Sequence, residues 1–233
     1  MRPLLLLLLG LAVACVGSGD GQVQGELHLR ACRFEGGKSR DLNDPRWNMK
    51  AGFFAAEPIE DVDRGSPENR LEIRIQRDGA HLEESDALVI SVPDVRKAAA
   101  QWLRNRAGST DGSAPLDVRS DGLVRASLSL FATCPALISS GATAVQTLNA
   151  DVGSQIFFTH FGEAEKYSPD SLPADFIVDF GDRLATRGGT SGFVLELADL
   201  RARTLGEPSQ ASGHLIGSFD FDVRRGAAGQ SFP

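Results

Sequence analysis

The sequence predicts an all-β protein, an antiparallel β-sandwich or jelly-roll-like fold with one short helix. Three observations carry that reading. Apolar and polar residues alternate at period two in one segment after another. Asp-Gly, Gly-Asp and Pro-Asp pairs punctuate those segments as turns. No helix of crossover length stands between consecutive strand candidates, as a parallel α/β sheet would require.

The fold is expected to begin at Gly25, where Leu27, Leu29 and Ala31 alternate with Glu26, His28 and Arg30. Cys32 falls out of phase, so a bulge or the strand end must intervene if it points inward. Residues 35–50 hold Gly-Gly, Asn-Asp-Pro and many charges; they read as a long loop, which Trp47 anchors if its ring is buried. Residues 52–56 read as a short buried strand and 57–68 as an acidic loop. Leu71, Ile73 and Ile75 alternate up to a turn at Asp78-Gly79, and 87–92 form the neighbouring antiparallel strand.

From Asp94 to Asn105 the period changes to that of a helix. Val95, Ala98, Ala99, Trp102 and Leu103 share one face, Asp94 stands at the N-terminus, and Arg104 and Arg106 stand near the other end. Residues 107–121 read as a loop with an extended piece around Leu116 and Val118. Val124, Ala126, Leu128, Leu130, Ala132 and Cys134 then share one parity, which turns Cys134 inward. Further strands are expected over 142–148 and 156–161, and where Phe176, Val178 and Phe180, then Phe193, Leu195 and Leu197, and finally 215–223 alternate.

The first fifteen residues address the chain. Arg2 is a basic start, 4–13 form an apolar run, and Ala12-Val13-Ala14 puts small residues before a cleavage point. The run is too short for a stop-transfer span, and the glycine-rich 17–21 stretch that follows is no basic flank. Residues 1–14 are therefore expected to be a removable export signal, 15–24 a tether, and 25–233 a single β-sandwich domain. Leu11-Ala12-Val13-Ala14-Cys15 resembles the lipobox of bacterial lipoproteins, with Ala12 where Leu is commonest. Ordinary signal-peptidase cleavage would cut the same bond. What the resemblance implies is acyl chains on Cys15 and a membrane-anchored protein of the bacterial envelope. Val16 replaces the Asp that favours inner-membrane retention in lipoproteins of enteric type, so the implied address is the outer membrane.

Three cysteines leave one unpaired in an oxidising compartment. Lipidation of Cys15 would remove the odd thiol and leave Cys32 and Cys134 as a disulfide pair; two buried free thiols are the alternative.

Composition excludes more than it names. The net charge is −7 and the basic residues are scattered, which gives nucleic acid no electrostatic footprint. No glycine cluster precedes a helix in the manner that cradles a nucleotide's phosphates. H-E-x-x-H and C-x-x-C are absent, and Gly189-Thr190-Ser191-Gly192 only approaches the nucleophile turn of hydrolases. His28, His81, His160 and His214 lie far apart; His160 and His214 could sit on polar strand faces. Asp220 and Asp222 alternate with Phe219, Phe221 and Val223, so both carboxylates share a solvent face as an acid pair, a cation holder or an edge-blunting row. The acidic 57–68 segment could hold Ca²⁺ through Asp61 and Asp63, although it matches no EF-hand spacing. The resulting expectation is a non-catalytic binding or structural module without cofactor, partnered by the membrane and by another envelope protein. The rivals are an envelope hydrolase and a Ca²⁺-dependent binding module. Binding is expected in the loops 35–50, 57–68 and 107–121.

Overall fold

The computed structural model describes residues 20–29, 42–49, 53–61, 66–76, 85–110, 114–132, 134, 147–179, 181–187, 192–200 and 211–223. In chain order the strands are β1 (Asp20–Leu29), β2 (Leu42–Met49), β3 (Phe53–Asp61), β4 (Ser66–Gln76), β5 (Asp86–Val92), β6 (Ala114–Asp117), β7 (Arg125–Leu130), β8 (Thr147–Ala150), β9 (Gln155–Phe161), β10 (Arg183–Thr186), β11 (Phe193–Ala198) and β12 (Ala211–Asp222). Helix α1 (Val95–Arg106) joins β5 to β6, and a 3-10 turn (Ala164–Lys166) follows β9.

The protein is all-β, and every strand pairing is antiparallel. Its layers are not two separate sheets. One hydrogen-bonded sheet runs β2-β1-β12-β10-β9-β11-β8-β7-β5-β4-β3, with β6 beside β9, and β3 at its end comes back against β12. Some of these strands are pieces of longer, interrupted ones. β10 and β11 lie end to end along β12, and β8 and β9 lie end to end along β11.

A single core fills the fold. The inward residues of β4 are Leu71, Ile73 and Ile75, and those of β12 include Leu215 and Phe219, all at most 2 % exposed. The helix matches its sequence pattern closely. Asp94 is the N-cap and accepts from the Lys97 N–H at 2.9 Å, while Val95, Ala98, Ala99, Trp102 and Leu103 are buried. Trp102 is fully buried, donates its indole N–H to the Phe158 carbonyl at 3.0 Å and packs near Phe161.

Several expectations are corrected. The tether over 15–24 gives way to strand at Asp20, because Val23 takes the same inward phase as Leu27 and Leu29; the glycines and glutamines between them hid the alternation. Residues 42–49 of the expected 35–50 loop are β2, which among the described strands pairs with β1 alone, and an edge strand tolerates Pro45. The expected acidic loop is mostly a hairpin: β3 runs to Asp61, which pairs with Ser66 of β4. The strand ending at Cys134 stops at Leu130. Ala132 is exposed, and Cys134 is buried by a turn in which its N–H bonds the Leu130 carbonyl at 2.7 Å. Cys134 is disulfide-bonded, while Cys15 and Cys32 lie outside the described residues. Phe176 and Val178 are buried, yet they belong to an irregular strap, and the strand follows it as β10. Gly181 closes that strap at φ 87°, a conformation that side chains disfavour.

Candidate functional site

The site is set by an irregularity in β9. Ile156 and Phe158 are buried at the strand's period of two, but the next buried residue, Phe161, comes three positions later. The register shows why: His160 faces Ala185 and Phe158 faces Thr186, so Thr159 is the extra residue of a β-bulge. Both Thr159 and His160 consequently reach the outer surface. Thr159 fixes the bulge by donating its hydroxyl to the Ala185 carbonyl at 3.2 Å.

Beside the bulge an open groove of about 660 Å³ crosses β9, β10, β12 and β1. Its floor is Ala185, Thr186 and Phe219, and its walls include His160, Arg183, Arg187, Asp220 and Gln22. Thr186 is buried and ties the floor together: its hydroxyl accepts from the Phe219 N–H at 2.9 Å and donates to the Phe219 carbonyl at 3.3 Å.

The polar groups of the groove form a continuous chain. Arg183 donates from Nε to Asp220 Oδ1 at 2.8 Å and from Nη2 to Asp220 Oδ2 at 2.5 Å, a two-pronged pair. Its Nη1 lies 3.1 Å from His160 Nε2. A guanidinium only donates, so Nε2 must accept, and the ring proton sits on Nδ1, which donates to Glu165 Oε1 at 2.7 Å. Glu165 is in the 3-10 turn, and Arg106 of α1 approaches it at 3.8 Å. The hydrogen bonds from Arg183 hold the Asp220 carboxyl below its usual pKa, and the same contact raises that of Arg183.

The remaining candidates lie elsewhere. His214 sits opposite Glu196 across β12 and β11, its Nδ1 2.7 Å from the carboxylate, on an exposed sheet face. Asp222 faces Arg183 across the strand pair. Asp182 caps the strap by accepting from the Asp179 N–H at 2.8 Å; burial raises its pKa, with Glu163 and Asp179 adding to the shift. The 107–121 stretch borders a second hollow of about 540 Å³ between α1 and β6, lined by Gln101, Asn105, Asp117 and Arg119. Asp61 ends β3, whereas Asp63, His81 and Ser191 lie outside the described residues, as do Cys15 and Cys32. Among the described residues no three His, Cys, Asp or Glu side chains converge as metal ligands, and no helix is long and apolar enough to cross a membrane.

Sequence reasoning therefore found His160 and Asp220 separately and missed Arg183 as the bridge that joins them, Glu165 as the partner of His160, Thr159 in the bulge and Arg187 in the groove lining. One signal was present, the apolar spacing of two and then three through Ile156, Phe158 and Phe161. No protein-family model matches this chain, and neither a curated protein nor a solved structure does.

Proposed function

We propose that this chain is a lipid-anchored protein of the bacterial envelope, held to the outer membrane by acyl chains on Cys15, whose folded part is a non-catalytic binding module for a component of the envelope. The observation that carries the binding reading is the occupancy of His160. Its Nδ1 proton goes to Glu165 and its Nε2 accepts from Arg183, so neither nitrogen is left to take a proton from a nucleophile.

The anchor reading draws its support from Leu11 to Cys15. The cysteine count supports a Cys32–Cys134 staple in the same scheme, because acylation consumes Cys15 and leaves Cys32 as the partner of the bonded Cys134. Two measurements test the proposal. Intact mass of the mature chain is expected to show acyl chains on Cys15, and an unmodified thiol there rejects the anchor. Affinity capture from envelope extract is expected to enrich a ligand, with no turnover in esterase, protease or glycosidase screens. Robust turnover in any of the three overturns the non-catalytic reading.

A further inference from the structure

Residues 163–179 form a strap whose two ends meet. Gly162 before it and Gly181 after it take positive φ, 58° and 87°, so the chain turns sharply at both ends on residues suited to pivoting. The Gly162 N–H donates to the Arg183 carbonyl at 2.8 Å, the Gly181 N–H to the Val223 carbonyl at 2.9 Å and the Asp182 N–H to the Asp179 carbonyl at 3.1 Å. Between its ends the strap is latched rather than woven in. Arg96 of α1 donates from Nε to the Pro173 carbonyl at 2.8 Å, and Leu172, Phe176 and Val178 are buried, yet among the described residues no part of the strap joins the sheet. Its first turn carries Glu165, which accepts from His160 Nδ1.

Charge makes this closure conditional. Residues 163–182 carry six carboxylates, Glu163, Glu165, Asp170, Asp175, Asp179 and Asp182, against one cation, Lys166. Asp182 stands where the ends meet: its Oδ2 accepts from the Asp179 N–H at 2.8 Å and would lie 3.2 Å from a Cβ on Gly162. The cations around it are engaged by other carboxylates. Lys166 pairs with Glu163, Arg106 of α1 approaches Glu165, and Arg183 of β10 pairs with Asp220 of β12. Burial, with the charges of Glu163 and Asp179 behind it and Lys166 opposing, raises the Asp182 pKa above its ordinary 3.8. A carboxyl raised in the closed form favours closure when protonated. That contribution is complete below 3.8 and is lost as the pH rises through the higher folded value.

We propose that residues 163–179 act as a clasp that tightens in acid and loosens as the pH rises, and that its closure is what holds Glu165 on His160. The clasp does not depend on acylation of Cys15. Hydrogen exchange of the mature chain between pH 4 and pH 8, corrected for intrinsic rates, tests it. The amides of Gly162, Tyr167 and Phe176, whose bonds break when the strap opens, are expected to be at least about threefold better protected at pH 4 than at pH 8, while those of β4 and β5 change less. Asp182→Asn keeps an acceptor for the Asp179 N–H and is expected to show the high protection at both pH values. Glu163→Gln removes one repelling charge and is expected to narrow the difference. At pH 8, where an imidazole is neutral, Asp182→Asn is also expected to slow acylation of the His160 ring by diethyl pyrocarbonate in the same proportion, because opening takes Glu165 off that ring; His214, held by Glu196 outside the strap, serves as the internal control. Equal strap protection at pH 4 and pH 8 overturns the clasp. So does a difference that persists unchanged in both variants, as titration of His160 itself would give. An unchanged His160 rate in a strap that Asp182→Asn has tightened overturns the hold on His160.

Discussion

Arg183 is the residue on which the outer face turns, since it touches Asp220 and His160 together. Its pair with Asp220 is about half exposed on both sides, 51 % and 50 %, so water screens it and its net worth is under about 1 kcal/mol. The sign of its pH dependence follows from the depressed Asp220 pKa. Stability from the pair is present above the ordinary carboxylate value near 4 and is lost as the pH falls through the lower folded value. Asp220→Asn should therefore cost under about 1 kcal/mol at pH 7, with the gap to wild type narrowing below about pH 4. Urea melts at pH 7 and pH 3 check this, and a gap that widens at pH 3 contradicts it. Trp102 links the same network to the core: its indole N–H holds Phe158 next to the bulge, and Arg106, which reaches Glu165, lies 5.0 Å over its ring.

At the scale of elements, the helix and the β1–β12 pair make opposite demands on sequence. The helix needs a cap, and Asp94→Ala should lower stability by about 1 kcal/mol by stranding the Lys97 N–H, measured as a shift in the denaturant midpoint. The strand pair needs the absence of a side chain: a Cβ on Gly25 would lie 2.0 Å from the backbone oxygen of His214, and backbone cannot swing aside. Gly25→Ala should accordingly cost about 3 kcal/mol or more, with β1 rather than α1 losing hydrogen-exchange protection first. Global loss of protection without a β1 phase would refute that ordering. These demands explain what could be read from sequence. Helix α1, β4, β5, β11 and β12 announce themselves because a repeated burial period fixes their faces, down to the five buried helix positions. Strand β2 does not, since among the described strands it pairs on one edge and so tolerates Pro45 and charge, nor does β10, whose four residues are too few to show a period. The groove was half legible for the same reason. Outward residues of strands obey no pattern, and the contacts of Glu165 and Arg183 with His160 depend on a bulge and on a register that only the folded sheet sets.

At the scale of the whole molecule, one sheet is folded over on itself, and its curvature has to be held by something other than the ladder. Packing supplies part of it, through the single core that β4, α1, β9 and β12 share. A covalent link would supply more. Cys134 sits just after β7 in a turn that the buried Asp86 secures by accepting from the Ala132 N–H at 3.1 Å. A Cys32–Cys134 bond would close a loop of about 100 residues, restricting the unfolded chain enough to stabilise the native state by about 2 to 4 kcal/mol. Reductant should lower the unfolding free energy by that amount, read as a lower denaturant midpoint, and non-reducing peptide mapping should recover the two cysteines in one linked fragment. Free alkylation of Cys32 without reduction would rule the staple out, and linkage of Cys134 to Cys15 instead would rule out the assignment of Cys15 to the lipid as well.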